Sequence, residues 1–77
     1  SAGGAGIRVA VLTCSDAAVR GSRADLSGDL VVGWAEGRGA TVVARRLLGD
    51  EQGAIAAQLA AWCDGDVADL VLTTGGT

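Results

Sequence analysis

The stretch IRVAVLTC, residues 7–14, decides the fold of this chain. It is a nearly continuous apolar run that is rich in β-branched side chains. Such a run is typical of a strand that is buried on both faces of a parallel sheet. We therefore predict that residues 7–14 form the central strand of the protein.

Helical and strand patterns alternate through the rest of the sequence. After a loop over 15–25, we predict a helix over 26–38 that is capped by Gly39, a strand over 40–49, a helix from Asp50 to the turn at 64–66, and a strand over 68–73. This alternation predicts right-handed crossovers and a parallel sheet. The predicted fold class is α/β, a three-layer parallel-sheet fold with βαβαβ order.

Apolar residues recur at helical spacing in both predicted helices, which places one face of each helix against the sheet. The predicted faces are Leu30, Val31, Trp34 and Ala35 in the first helix, and Ile55, Leu59 and Trp62 in the second.

Adjacent arginines indicate the position of the second strand. Side chains alternate between the two faces of a strand, so Arg45 and Arg46 put one charge on each face. This favours a strand at the edge of the sheet. The third strand must then lie on the other side of the central strand, which gives the local order 2-1-3.

Composition limits the classes of function. The chain of 77 residues has a net charge of −3 and its arginines are scattered, so it offers no basic stripe for nucleic acid. It contains no apolar run as long as a transmembrane helix, and residues 1–6 lack the features of a signal peptide. We interpret residues 1–6 as a disordered tail or cloning remnant. Cys14 and Cys63 form no metal-binding motif, and we interpret them as free core thiols of a cytoplasmic protein.

The strand order reverses between strands one and three, and ligands of open α/β sheets bind beyond the carboxyl ends of the strands at such a reversal. Three segments converge there: residues 15–28, Asp50 and residues 74–77. The sequence therefore predicts a ligand crevice at this end of the sheet.

The segment TTGGT, residues 73–77, supports two interpretations. It has the spacing of neither a P-loop nor a dinucleotide-binding fingerprint. Its glycines allow a ligand to approach the backbone closely, and its hydroxyls and N–H groups can donate to phosphate oxygens. A tight turn between strand and helix would use the same residues, so the segment alone leaves both interpretations open.

The polar residues of the other two segments also have purely structural interpretations. Ser15 and Asp16 are suited to capping a turn. Asp50 is suited to capping the helix that it precedes, and Asp25 or Ser27 is suited to capping the helix over 26–38.

Four motifs together resemble the MoaB/Mog family of molybdenum-cofactor biosynthesis proteins. They are VAVLTCSD at 9–16, RGSRADLSG at 20–28, LLGDE at 47–51 and DLVLTTGGT at 69–77. They occur in the family's order and spacing, and the resemblance covers residues 7–77. It implies that residues 7–77 are the N-terminal part of a molybdopterin-binding domain.

The resemblance also implies an activity and a site. Members of the Mog type transfer AMP from ATP to molybdopterin with Mg²⁺ present, are commonly homotrimeric, and pass the product to a molybdate-inserting protein. Asp50 matches the family's catalytic acidic residue, which could hold Mg²⁺. The residues that would bind the substrate are Ser15, Asp16, Gly21, Asp25, Ser27, Gly28, Thr73, Thr74, Gly75, Gly76 and Thr77.

The sequence departs from the family pattern at two points. Gly49 stands where the family often has a proline before the aspartate. The family's second catalytic carboxylate would lie beyond Thr77, so we expect that this sequence is the first half of a longer chain.

The resemblance leaves three functions open. The first is a molybdopterin adenylyltransferase, and the second is a module that binds molybdopterin without catalysis. The third is a related domain of the same fold, as in molybdate-inserting or competence-damage proteins, that binds another phosphate-bearing ligand.

Overall fold

The computed structural model describes residues 6–16, 20–21, 25–49 and 51–75. Its regular elements are β1 (Arg8–Cys14), α1 (Leu26–Gly37), β2 (Thr41–Leu48), α2 (Gln52–Asp64) and β3 (Leu70–Gly75). The strands form a parallel sheet in the order β2-β1-β3. The predicted α/β fold class and the 2-1-3 strand order are therefore confirmed.

The central strand separates two apolar layers. Ala10, Leu12 and Cys14 point to the face that α2 covers, where they pack with Trp62. Val9 and Val11 point to the other face and pack with Ala35 of α1. Because β1 is buried on both faces, its sequence is continuously apolar over 9–12 instead of alternating.

The predicted face of α2 is confirmed, since Ile55 and Leu59 pack against the same cluster as Trp62. Cys63 lies beside them in sequence but is exposed, so its interpretation as a core residue was wrong, whereas Cys14 is buried. Among the described residues, no disulfide joins the two cysteines.

The predicted face of α1 is only half correct. Val31 and Ala35 pack against the sheet, as predicted, but Leu30 and Trp34 have relative accessibilities of 75% and 54%. Val32 packs against the sheet in their place. The helix is rotated toward Val32 because Gly28 contacts the sheet at the amino end of the helix, three to four residues before Val31 and Val32.

Strand β2 contains an irregularity that changes its alternation. Val9 pairs with Val42, and Ala10 pairs with Ala44, so Val43 is an extra residue between them. Two residues of β2 therefore oppose one of β1 at this point, which is a β-bulge. As a result, Val42 and Arg45 both point to the α1 face, although they are three residues apart.

The second helix has a different cap from the predicted one. Its N-cap is Glu51, whose carboxylate accepts from the N–H groups of Gly53 at 2.9 Å and Ala54 at 2.7 Å. The prediction that Asp50 caps this helix was wrong by one residue. Asp50 itself lies outside the described residues.

The segment after β1 and both ends of β3 also differ from prediction. Asp16, which was predicted to lie in a loop, has helical backbone geometry, and its carbonyl accepts from the N–H of Arg20 at 3.0 Å. Strand β3 spans Leu70–Gly75, so it begins and ends two residues later than predicted.

A charged cluster fixes the amino ends of β1 and β3. The Arg8 guanidinium forms ion pairs with Asp69 at 3.0 Å and with Asp66 at 3.2 Å, and it also donates to the Asp66 carbonyl. These bonds raise the pKa of Arg8 and lower that of Asp69.

Within the described part of the chain, neither helix is long and apolar enough to cross a membrane.

Candidate functional site at the carboxyl ends of the strands

The carboxyl ends of all three strands lie together. Thr13 pairs with Thr74, and Cys14 pairs with Gly75. On the other side, the N–H of Ser15 donates to the Leu48 carbonyl at 2.8 Å. The segments that follow the strands therefore begin side by side, as the strand order predicted.

Gly75 packs directly on the backbone of β1. Its φ is +90°, and a Cβ at this position would lie 2.5 Å from the Cys14 carbonyl oxygen. L-residues other than glycine rarely adopt such a φ, and no side chain fits at that distance. Glycine is therefore required at position 75 by the close contact between β3 and β1.

Asp16 lies against Gly49 at the exit of β2. A Cβ at Gly49 would be only 2.6 Å from the Asp16 Oδ1 atom. The carboxylate thus occupies the space that a side chain at position 49 would fill. Because Asp50 follows Gly49 in sequence, two of the predicted site carboxylates come from segments that touch each other.

The amino end of α1 is fixed by Asp25. Its carboxylate accepts from the Gly28 N–H at 3.1 Å and from the Thr13 hydroxyl at 3.2 Å. Asp25 is therefore the N-cap of α1. The sequence had predicted either Asp25 or Ser27 for this role. Thr13 is 1% exposed, so this hydrogen bond also satisfies a buried hydroxyl at the end of β1.

Gly28 allows this close packing. A Cβ on Gly28 would clash with the Asp25 carboxylate and would lie 2.6 Å from Thr13 Oγ1. The sequence motif DLSG therefore places an aspartate as cap and a glycine where α1 meets β1. Its Ser27 is half-buried in the first turn of the helix.

Arg45 completes this cluster from β2. Its Nη2 atom donates to Asp25 Oδ2 at 2.9 Å and to Asp29 Oδ1 at 2.7 Å. Burial raises the pKa of Asp25, but the hydrogen bonds from Arg45, the Gly28 N–H and Thr13 outweigh it, so the net pKa is lowered. Asp25 is therefore held in its ionised form.

The structure brings several of the predicted site residues to one end of the sheet. Because parallel partners share a face, Thr74 lies on the same side of the sheet as Thr13 and the amino end of α1. Thr73 pairs with Leu12, so its side chain points to the opposite face from Thr74. The residues that meet at the carboxyl ends are Ser15, Asp16, Asp25, Gly28, Thr74 and Gly75.

Gly21 has a positive φ of +77°, and it forms no part of the contacts described above. Asp50, Gly76 and Thr77 lie outside the described residues, so their predicted roles remain predictions. Among the residues described, there is no group of three acidic or sulfur ligands that could hold a metal ion.

Sequence reasoning did not identify Thr13 or Arg45 as part of this end of the molecule. The available signal for Thr13 was a hydroxyl within an apolar buried strand, since a buried polar group needs a partner. Arg45 was noticed only as a marker of an edge strand, because its partners come from a helix elsewhere in the sequence.

Comparison with known proteins identifies the family. The family model described as "probable molybdopterin binding domain" matches residues 10–77. A solved structure of the molybdopterin biosynthesis enzyme MoaB from Thermus thermophilus is 38% identical, with a TM-score of 0.84. The match covers 92% of this chain and 45% of that chain, so this chain spans less than half the length of that relative.

A second solved structure shares the fold. The protein CinA from Thermoplasma acidophilum, a protein of unknown function, matches with a TM-score of 0.83. Its sequence identity is 18%, and the match covers 94% of this chain and 41% of that chain. The chain belongs to the molybdopterin-binding domain family, because the family model matches most of its length.

Proposed function

We propose that this chain, as a member of the molybdopterin-binding family, binds molybdopterin at the carboxyl ends of its strands and acts in molybdenum-cofactor biosynthesis. The observation that carries the proposal is the meeting of Thr74 and Gly75 with Asp16 and the amino end of α1 at one end of the sheet. Family membership and the MoaB-like structure support it.

The chemistry of the site suits this ligand. Molybdopterin has a phosphate at one end and a pterin ring at the other. The hydroxyl of Thr74 and the backbone beside Gly75 can donate to phosphate oxygens. The exposed carboxylate of Asp16 is an acceptor that suits the N–H groups of a pterin and repels a phosphate.

We extend the proposal to adenylyl transfer, with Asp50 as the catalytic carboxylate and ATP as the AMP donor. The MoaB/Mog resemblance of the motif LLGDE supports this step, together with the contact between Asp16 and Gly49 that brings the two segments together. A cytoplasmic homotrimer that passes its product to a molybdate-inserting protein is the corresponding cellular setting.

The proposed site offers Mg²⁺ a carboxylate and the phosphates of the substrate. Mg²⁺ is commonly held by one or two carboxylates together with substrate phosphates, so a cluster of three protein ligands is not needed. Asp50, which follows Gly49 at the exit of β2, would hold it, as the family resemblance implies. When bound, the ion neutralises charge on the phosphates.

The binding proposal is tested by titrating the intact protein with molybdopterin and following pterin fluorescence. We expect saturable binding that Asp16→Asn weakens about tenfold, because one charge-assisted hydrogen bond is lost. Asp64→Asn is the matched control, since Asp64 is exposed and ends α2 on the side of the amino ends of the strands. Equal affinity in both variants would contradict the role of Asp16.

The transfer proposal is tested by incubating the intact protein with molybdopterin, ATP and Mg²⁺ and measuring adenylylated product. We expect Asp50→Asn to abolish product and to leave binding of molybdopterin largely intact. Binding by the wild-type protein with no ATP consumption would identify a non-catalytic binding module instead. Failure to bind molybdopterin at all would favour a related domain for another phosphate-bearing ligand.

A further inference from the structure

Four residues from three different elements form one hydrogen-bonded cluster beside the proposed ligand site. Thr13 is at the end of β1, Asp25 and Asp29 flank the start of α1, and Arg45 comes from β2. We call them the Arg45 cluster. The hydrogen bonds between their side chains range from 2.7 to 3.2 Å, and one guanidinium nitrogen donates to both carboxylates.

We propose that Arg45 is a positioning residue for the ligand site, which acts by holding the Asp25 carboxylate between the amino end of α1 and the end of β1. Arg45 does not contact the ligand in this proposal. It fixes the position of the segments that would contact the ligand, which are the amino end of α1 and the strand end beside Thr74. The inference rests on the proposed function for its binding readout, and it adds a residue that the family motifs do not include.

The geometry of Asp25 explains why Arg45 is needed. The side chain of Asp25 is 17% exposed, and an ionised carboxylate at that depth is costly without charge-assisted partners. Arg45 is the only cationic partner of Asp25 among the described residues. Without Arg45, only the hydrogen bonds from the Gly28 N–H and the Thr13 hydroxyl offset the burial of this charge, and we expect the carboxylate to turn toward water more often.

A rotation of Asp25 would change both sides of the ligand site. The Gly28 N–H would lose its cap, which loosens the first turn of α1. The Thr13 hydroxyl would lose its acceptor, and Thr13 pairs with Thr74 in the adjacent strand. Arg45 therefore influences two ligand-facing segments through a single carboxylate.

The chain offers two controls that separate positioning from stability. Arg46 is the neighbour of Arg45 on the opposite face of β2, and no ion pair joins it to any described carboxylate. Arg8 forms a cluster with Asp66 and Asp69 of similar size, but at the amino ends of the strands. Replacing Arg8 should lower the free energy of unfolding without changing the ligand site.

The test compares Arg45→Met, Arg46→Met and Arg8→Met in the intact protein, at a temperature well below unfolding. Methionine keeps the apolar stem and removes the charge. We expect Arg45→Met to raise the Kd for molybdopterin about tenfold, because the amino end of α1 and Thr74 would no longer be held in their binding geometry, at a cost similar to that of one hydrogen bond. We expect Arg45→Lys to recover part of this loss, because lysine restores a point charge without the planar fork.

Arg46→Met and Arg8→Met should bind molybdopterin like the wild type, although Arg8→Met should unfold at lower denaturant concentration. An unchanged Kd in Arg45→Met overturns the proposal, and so does an equal increase in Arg8→Met. If Arg45→Met does not fold, Thr13→Val removes the hydroxyl donor to Asp25 at nearly constant volume. An unchanged Kd in Thr13→Val would then overturn it.

A second readout does not depend on molybdopterin. Amide hydrogen exchange at Gly28 should accelerate in Arg45→Met and should stay at the wild-type rate in Arg46→Met and Arg8→Met. If the wild-type protein fails to bind molybdopterin while this pattern is seen, the proposed function fails and the positioning role stands. If molybdopterin binds and Gly28 exchange does not change in Arg45→Met, the positioning role fails alone.

Discussion

Replacing Gly28 with alanine should destabilise the protein, although alanine is the better helix former. Gly28 lies in the first turn of α1, and its added Cβ would clash with the Asp25 carboxylate and lie 2.6 Å from Thr13 Oγ1. Thr13 is buried within β1 and cannot move away, so the Asp25 carboxylate must be displaced. Gly28→Ala therefore breaks the N-cap and the hydrogen bond to Thr13 together.

The expected magnitude follows from these contacts. Alanine is favoured over glycine in a helix by about 1 kcal/mol. Loss of the cap costs about 1 kcal/mol, and a buried hydroxyl without an acceptor costs about 1–3 kcal/mol. We expect a net loss of about 1–3 kcal/mol in the free energy of unfolding.

Gly33→Ala is the matched control in the same helix. A Cβ at Gly33 meets nothing within 4 Å. That substitution should raise the free energy of unfolding by about 0.5–1 kcal/mol. Urea denaturation of the two variants and the wild type measures both effects. Equal stability of Gly28→Ala and Gly33→Ala would show that Gly28 does not hold the Asp25 carboxylate in place.

Three further outcomes follow from individual contacts. Gly75→Ala should lower the free energy of unfolding by about 2 kcal/mol or more in urea denaturation, because its φ is +90° and its Cβ would lie 2.5 Å from the Cys14 carbonyl oxygen; a wild-type midpoint would disprove it. Glu51→Ala should lower the free energy of unfolding by about 1 kcal/mol, because the cap of α2 is lost, whereas Glu51→Gln should retain most of the cap's stabilising effect. Thermal unfolding of the two variants measures this difference. The pKa of Asp25 is lowered by folding, so its stabilising effect is present above the ordinary carboxyl pKa of 3.8 and is lost as pH falls through the folded value. Asp25→Asn should flatten the acid side of the stability profile measured by urea denaturation between pH 2 and 7, and an unchanged slope would contradict this.

The strand order could be read from the sequence because two local signals agreed. The apolar run at 7–14 marked a strand buried on both faces, and adjacent Arg45 and Arg46 marked an edge strand. The structure confirms both positions in the described sheet. The proposed ligand site at the carboxyl ends of the strands followed from that order.

The apolar face of α1 was harder to predict, because its apolar residues outnumber those that can reach the sheet. Leu30 and Trp34 matched helical spacing as well as Val31 and Val32 did. The close contact of Gly28 with Thr13 decides which set faces inward. Such a contact depends on residues of another element, and helical periodicity contains no information about it.

Local sequence determined the elements and their order, and it limited the cap of α1 to Asp25 or Ser27, since these depend on neighbouring residues and on the alternation of side chains. Only the tertiary structure decided the role of Arg45. Strict alternation would place Val42 and Arg45 on opposite faces of β2, and the bulge at Val43 puts both on the α1 face. The bulge arises from the pairing of β2 with β1, so the partners of Arg45 are fixed by strand register.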